Sequence, residues 1–194
     1  MLKCNNNILY RIFPPHASNK LNCDEEGLWS ITHYEEAKII SINILNILNS
    51  KNNISILDMT AGCGGNTLSF CEYFTKVTGI EYNMERFKIL ENNMKCYNYT
   101  NYEIYCDDSL NYINNNYDVF FIDPPWGGPE YKKYQNLELS LSNINIFNII
   151  KMIPLNKLVV LKLPFNYNIK ELISNFNVKL KLEIKNIIIL YIHT

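Results

Sequence analysis

The run Phe121-Ile122-Asp123-Pro124-Pro125-Trp126-Gly127-Gly128-Pro129-Glu130-Tyr131 sets an acid, two prolines and an aromatic ring directly behind the apolar stretch 117–122. The order predicts a rigid, hydrogen-bond-accepting turn with a stacking platform at the carboxyl end of a buried strand. In open α/β sheets that is where ligands bind. Chemistry on the exocyclic amine of a flat base needs these parts. Acceptors must hold the amine in line with a donor, and an aromatic face must fix the ring. Gly127 and Gly128 let the backbone approach a ligand closely. The plainer role for Trp126 is a core tryptophan that caps a strand.

A second group begins at Asp58-Met59-Thr60-Ala61-Gly62-Cys63-Gly64-Gly65-Asn66-Thr67. Gly62 and Gly64 permit a tight turn where a strand passes into its helix. The dinucleotide fingerprint would need another glycine where Thr67 stands, and no Gly-Lys-Ser/Thr follows, which excludes a Walker loop. Asp58 ends one strand, Glu81 the next, and Asp107-Asp108 follow the third. An acid after the second strand commonly accepts from both hydroxyls of a ribose, and Asp107-Asp108 can accept from an adenine amine. Acids without a phosphate-binding lysine suit S-adenosylmethionine, which carries a cationic sulfonium and no phosphate. The alternative is a βα turn whose glycines serve packing and whose acids are merely solvated.

Alternating patterns supply the elements that position these groups. Strands are predicted at 54–58, 76–81, 102–106, 117–122 and 158–163, and helices from about Asn66 and at 83–97, 144–152 and 169–176. Residues 1–31 read as an irregular arm with a break at Pro14-Pro15. A helix is expected to start at Thr32, which can cap it with Glu35 three residues on as in a capping box. Its apolar spacing runs through Ile39, Ile40, Ile44, Leu45 and Leu48. The end, 178–184 and 187–192 around Lys185-Asn186, predicts a closing hairpin. The fold class is therefore α/β: a doubly wound, mostly parallel, seven-stranded sheet with an antiparallel C-terminal hairpin and a short N-terminal arm.

Composition bounds the partners. The 194 residues are 47% hydrophobic and 19% charged, a globular balance, with a net charge of −1 that argues against wrapping a long nucleic acid in a basic groove. Recognition of one nucleotide in a pocket remains open. No apolar run reaches the roughly 18 residues of a membrane span, and the start Met1-Leu2-Lys3-Cys4 lacks a signal-peptide stretch, so an intracellular, soluble protein is expected. The cysteines Cys4, Cys23, Cys63, Cys71, Cys96 and Cys106 show no C-x-x-C spacing, and His16, His33 and His193 are the histidines. No metal site is expected; buried free thiols in a reducing compartment are. The clusters Asn5-Asn6-Asn7 and Asn114-Asn115-Asn116 read as compositional bias and loops.

Together the motifs resemble the RNA cap guanine-N2 methyltransferases, the trimethylguanosine synthase family, over about residues 10–168. Glu26-Gly27-Leu28-Trp29-Ser30-Ile31-Thr32 looks like the family's segment before the first helix, and Asp58 to Thr67 like its Gly-rich loop. Glu81 falls at its second-strand acid, and Pro124-Pro125-Trp126-Gly127-Gly128-Pro129-Glu130-Tyr131 matches its acceptor signature. The resemblance implies a Rossmann-like methyltransferase sheet (32–194), covered at its site by the arm (1–31). It also implies methyl transfer from S-adenosylmethionine to N2 of 7-methylguanosine in capped RNA or a free cap nucleotide. Trp126 would stack on the cationic base, while Asp123 and the Pro124 carbonyl accept from its amine. Ser30, Thr32, Asp58, Gly62, Gly64, Asn66, Glu81, Asp107 and Asp108 would line the cofactor, and Lys20 and Asn166 the substrate.

Three departures stand out. Asp123 occupies a place where many members carry Ser, so Asp123-Pro124-Pro125-Trp126 also fits adenine-N6 methyltransferases. His33-Tyr34 replaces a proline after Thr32. Leu163-Pro164-Phe165-Asn166 stands where the family has Leu-Pro-Arg-Asn, whose arginine meets cap phosphate; Lys132, Lys133 or Lys162 would have to substitute. An adenine-N6 or ribosomal guanine-N2 enzyme is the runner-up. A catalytically silent cap-binding module is a third reading. Without an added RNA-selection domain, isolated cap nucleotide is expected to suffice as substrate.

Overall fold

Strand and helix alternate as the periodicity predicts. The computed structural model describes residues 9, 12–18, 20–49, 51–134 and 137–194, so expectations that fall on residues 1–8, Cys4 and the Asn5–Asn7 cluster among them, lie outside the described residues. The order is α1 (Glu25–Ser30), α2 (Tyr34–Ile47), β1 (Ser55–Asp58), α3 (Gly65–Tyr73), β2 (Lys76–Ile80), α4 (Met84–Lys95) and β3 (Tyr102–Tyr105). There follow β4 (Val119–Ile122), β5 (Ser140–Leu141), β6 (Ile144–Asn145), α5 (Ile146–Met152), β7 (Leu158–Pro164), α6 (Lys170–Asn175), β8 (Asn177–Ile184) and β9 (Ile187–His193). Single 3-10 turns occupy Ser109–Tyr112 and Pro129–Lys133.

The main sheet has seven strands in the order β3-β2-β1-β4-β7-β9-β8. β3, β2, β1, β4 and β7 pair in parallel, and β9 runs antiparallel between β7 and β8. The doubly wound sheet and its closing hairpin are thus as the sequence predicts. β4 and β7 are buried along their whole length, the signature of parallel strands covered on both faces. Side chains alternate between those faces. Val119 and Phe121 join the core that includes Ile40 and Ile44 of α2, Phe70 of α3 and Leu90 of α4. Phe120 and Ile122 join the opposite core with Ile146 and Ile149 of α5 and Leu172 of α6. By contrast β8 alternates between exposed and half-buried positions, and its charged side chains protect an edge strand from further pairing.

Three local expectations are corrected. α2 starts at Tyr34 with His33 at its N-cap and no side-chain cap bond; the Thr32 hydroxyl instead accepts from Asn66 Nδ2 at 2.9 Å, so a tertiary bond takes the group a capping box would use. The arm is not wholly irregular, since Asp24 caps α1 by accepting from the Gly27 N–H at 2.7 Å. The predicted helix 144–152 is shortened because Ile144–Asn145 pairs with Ser140–Leu141, and Asn145 then caps α5 by accepting from the Phe147 N–H at 2.8 Å.

Candidate active site

β1 lies where the strand order reverses, with β2 on one side and β4 on the other. Because these strands are parallel, the residues that follow them emerge at one edge of the sheet, the crevice in which ligands bind in such folds. Asp58, Glu81, Asp107-Asp108 and Asp123 are all carried to that edge.

Buried polar groups stitch the Gly-rich turn after β1 together. Asp58 has no exposed surface; its Oδ2 accepts from the Thr67 hydroxyl at 2.6 Å and its Oδ1 from the Thr60 N–H at 3.2 Å. Burial pushes its carboxyl up to about 7, although those two bonds oppose the shift. Asp58, expected to line the cofactor, holds the turn through these bonds. Glu81 clamps it from β2, with Oε2 accepting from the Gly62 N–H and Oε1 from the Asn83 N–H, both at 2.9 Å. Burial also raises the Glu81 carboxyl, against these bonds and nearby Arg86. Gly64 sits at φ 98° as the N-cap of α3, a left-handed conformation that any other residue would adopt under strain. Asn66 donates to Thr32, and its Oδ1 is buried with no hydrogen-bond partner among the described residues. An orphaned acceptor at the first turn of α3, beside acids, fits a ligand that brings an ammonium group.

Asp107 is exposed, accepts from the Asp108 N–H at 2.7 Å and from Asn111 Nδ2 at 3.2 Å, and Asp108 caps the following turn through the Leu110 N–H. Both stand after β3 as expected. Ser30 ends α1, its hydroxyl donating to the Glu26 carbonyl at 3.0 Å.

The turn after β4 is built differently. The Asp123 N–H donates to Thr60 Oγ1 at 2.8 Å and the Met59 N–H to the Phe121 carbonyl at 2.9 Å, tying this turn to the Gly-rich one. Pro124 is buried, Trp126 half-buried, and Pro125, Gly127, Gly128, Pro129 and Glu130 are exposed. Both glycines have positive φ, 86° and 73°, with nothing within 4 Å of where a Cβ would stand. Tyr131 meets the Trp126 ring edge-on at 5.1 Å, and Trp126 Nε1 is buried without a partner among the described residues. Asn166 Nδ2 pins the loop by donating to the carbonyls of Tyr131 and Tyr134 at 3.0 and 2.8 Å, while its Oδ1 is unpaired among the described residues.

At the root of this turn lies a feature the motif reading missed. Lys162 is only 3% exposed, and its Nζ stands 2.6 Å from Asp123 Oδ2, 3.2 Å from the Ser30 carbonyl oxygen and 5.2 Å from the centre of the Trp126 ring. Burial raises the Asp123 carboxyl and Lys162 opposes that rise. The pair extends the β4–β7 register by one step beyond Ile122 and Leu161. A lysine inside the apolar run Leu158-Val159-Val160-Leu161-Lys162-Leu163 was the signal, since a charge in a covered strand needs a counter-ion. Lys162 is therefore not a surface cation for cap phosphate.

Lys20, expected on the substrate side, is exposed on the arm. Its carbonyl accepts from Asn92 Nδ2 at 3.1 Å, near the C-terminal end of α4. Asn92 is in the second half of that helix. The fold also gathers ligand-type atoms of Cys23, Asp24 and Cys63 within 4.8 Å of one another, which no cysteine spacing announced. Asp24 is already engaged by Gly27 and, at 3.0 Å, by Arg86 Nε, and the Cys63 thiol is pushed up by its bond with Cys23 and by burial. No described helix is long and apolar enough to cross a membrane.

The family model for RNA cap guanine-N2 methyltransferases matches residues 53–194. An uncharacterized protein of Acanthamoeba polyphaga mimivirus is 35% identical over 187 residues, covering 81% of this chain and 73% of that one. The trimethylguanosine synthase of Saccharomyces cerevisiae is 31% identical over 129 residues, 60% of this chain and 40% of the yeast protein, so the match spans well under half of that relative's length. The Schizosaccharomyces pombe trimethylguanosine synthase is 26% identical, covering 76% and 67%. Among solved structures, a 16S rRNA N2 methyltransferase of T. thermophilus in complex with AdoMet and guanosine aligns with a TM-score of 0.62 at 14% identity, over 81% of this chain and 43% of that one. A putative methyltransferase from Escherichia coli gives 0.58 at 14% identity, over 90% and 92%. At such identities these structures establish the Rossmann-like methyltransferase fold alone.

Proposed function

The chain belongs to the RNA cap guanine-N2 methyltransferase family, and from that premise we propose that it transfers a methyl group from S-adenosylmethionine to N2 of 7-methylguanosine in an RNA 5′ cap. The product is the 2,7-dimethyl base or, after a second transfer, the 2,2,7-trimethyl base. Membership of this family implies use of S-adenosylmethionine, whose activated sulfonium supplies the methyl group. The observation that carries the reading is the 2.8 Å bond from the Asp123 N–H to Thr60 Oγ1. It fixes the acceptor turn against the Gly-rich turn, so a base and a donor held by the two would meet.

On the cofactor side, Glu81 already accepts two backbone bonds, yet a carboxylate has about four lone-pair sites, which leaves capacity for ribose hydroxyls. Asn66 Oδ1, unpaired among the described residues and with Thr32 behind it, suits the amino-acid end, and Asp107-Asp108 suit the adenine amine. Asp58 acts through the turn, keeping the N–H groups of Gly62 and Gly64 in place. Ser30, near the end of the arm, meets the root of the acceptor turn of the 32–194 domain through its carbonyl, which accepts from Lys162 Nζ; that contact supports the arm as a cover over the site.

On the acceptor side, N7 methylation makes guanine cationic, and an indole face attracts a cation by about 0.5–2 kcal/mol. Trp126 stacks on that base. The free oxygen of Asp123 and the Pro124 carbonyl accept from the N2 amine, aim its lone pair at the methyl group and stabilise the positive charge that develops. Asp123 or water then takes the proton. Positioning supplies much of the rate.

The test is transfer of labelled methyl to N7-methyl-GTP, with GTP and an adenine-containing DNA oligomer in parallel. Labelling of the N7-methylated nucleotide alone is the expected result, and product mass counts the methyls. Labelling of only the oligomer would reassign the chain to the adenine-N6 enzymes; cofactor binding without any transfer would make it a silent cap-binding module.

A further inference from the structure

The acceptor turn contains a charge that its motif does not require. Lys162 is buried, and its ammonium lies 5.2 Å from the centre of the ring on which, in the function proposed above, a cationic base must stack. Two cations on one indole repel, and repulsion is strong where water is excluded. What removes the conflict is Asp123, 2.6 Å from Lys162 Nζ. As an ion pair the two present no net charge to the ring.

We infer that Asp123 and Lys162 form a specificity-determining pair, in which Asp123 cancels the Lys162 charge beneath Trp126 so that a cationic base is accepted, and Lys162 in turn positions the Asp123 carboxylate. The inference rests on the cap reading and adds a selection device to it. Geometry supports both halves. Lys162 engages one Asp123 oxygen and the Ser30 carbonyl at 3.2 Å, so it links β7, the acceptor turn and the end of α1. With Oδ2 held, Oδ1 is the oxygen left to face the amine. The other acid facing Asp123, Asp58, has its two oxygens engaged within the Gly-rich turn, and it leaves Lys162 to Asp123.

N7-methyl-GTP and GTP carry the same N2 amine and the same phosphates and differ at N7, where the methyl group adds a positive charge and removes an acceptor. The change in the ratio of their affinities from wild type to variant therefore reports the electrostatic effect, because hydrogen bonds to the shared groups cancel. Binding of each is measured by calorimetry with S-adenosylhomocysteine present, for wild type, Asp123→Asn, Asp123→Ser, Lys162→Met, Lys162→Arg and the double variant Asp123→Asn/Lys162→Met. Wild type is expected to prefer N7-methyl-GTP. Asp123→Asn and Asp123→Ser leave the lysine charge uncompensated and should cut that preference about tenfold, as expected for like charges at partly buried sites. The double variant should regain the preference without regaining turnover. Lys162→Met should lower kcat more than it changes KM, and Lys162→Arg, which keeps the charge, should recover part of kcat.

A preference that survives both Asp123 substitutions, or that the double variant does not regain, overturns the inference and leaves the cap reading standing. A wild-type chain that binds GTP as well as N7-methyl-GTP overturns the cap reading and the inference together. S-adenosylhomocysteine binding identifies the variants that fold. If Asp123→Asn fails that control, Asp123→Ser decides.

Discussion

The turns after β1 and β4 leave neighbouring parallel strands at the same edge of the sheet, yet they are held by opposite means. Residues 63–71 after β1 are buried throughout, and four side chains, Asp58, Thr67, Glu81 and Asn66, fix the backbone before any ligand arrives. After β4, residues 127–130 are exposed, and order comes from prolines, the Trp126–Tyr131 ring contact, the Asn166 bonds to the carbonyls of Tyr131 and Tyr134, and the Asp123–Thr60 and Asp123–Lys162 contacts at the root. The difference teaches where each kind of recognition resides. A turn that presents backbone N–H groups must be rigid along its length. A turn that presents one ring and one carboxylate needs only those two side chains anchored.

Breaking each turn separately should therefore separate the two binding events. Trp126→Ala should give the larger effect, a loss of about 30- to 1,000-fold in kcat/KM for N7-methyl-GTP, as about 2–4 kcal/mol of stacking and cation–π energy would produce. S-adenosylmethionine affinity, read by calorimetry, should stay within about twofold because none of the bonds that hold the β1 turn involves Trp126. Joint loss of both would sink the stacking assignment. Glu81→Ala is the mirror case. Loss of bonds to a charged acceptor, about 1.5–3 kcal/mol, should weaken cofactor binding roughly 10- to 100-fold while N7-methyl-GTP binding holds. Equal weakening of both ligands would mean that the two turns behave as one unit.

The rigidity of the β1 turn also carries a pH signature. Asp58 titrates near 7 when folded because burial disfavours its charge, reinforced by Asp123 and Glu81, against about 3.9 for an exposed Asp. A folded value above the unfolded one means that the native state binds the proton more tightly. Its contribution to stability is complete below about pH 4 and is lost as pH rises through about 7. Asp58→Asn removes this titration but keeps the bonds: its amide oxygen can accept from the Thr60 N–H and its NH2 donate to the Thr67 hydroxyl. The variant's Tm should gain on wild type by at least about 2 °C between pH 5 and pH 8, equivalent to roughly 1 kcal/mol. A gap that stays constant over that range would show that Asp58 does not titrate there.

How far the sequence could be read follows from the same contrast. Periodicity and turn residues are local signals, and they predicted every strand of the main sheet and both loops of the site. What escaped them depends on the partner across the sheet. The Thr32 hydroxyl looked like a helix cap until the fold offered it Asn66. Asp58 reads in sequence only as a strand-end acid; that it ties the turn together through Thr67 and the Thr60 N–H depends on the fold. The β5–β6 pair is two residues per strand, too short for any alternation to register. Lys162 was the most legible of the misses, since its place in an unbroken apolar run requires a buried counter-ion, and the β4 register supplies Asp123.

The smallest expected effect tests whether, in the proposed function, the exposed turn meets the cap phosphates. Phe165 stands where the family carries arginine and is 50% exposed, so the cation has to come from elsewhere. Lys162 is committed to Asp123 and Lys133 is ion-paired with Glu130. Lys132 is exposed and lies 5.8 Å from the centre of the Tyr131 ring, which itself packs edge-on against Trp126. A solvent-exposed cation contributes about 0.2–1 kcal/mol to such a contact, so Lys132→Ala should weaken N7-methyl-GTP binding only about two- to fivefold. The same change should leave N7-methylguanosine, which has no phosphate, untouched, and the difference should shrink as salt is raised from 0.05 to about 0.5 M. If the nucleoside and the triphosphate weaken equally, Lys132 acts by supporting Tyr131 behind Trp126. The acceptor turn would then hold the base alone, with the phosphates left in solvent.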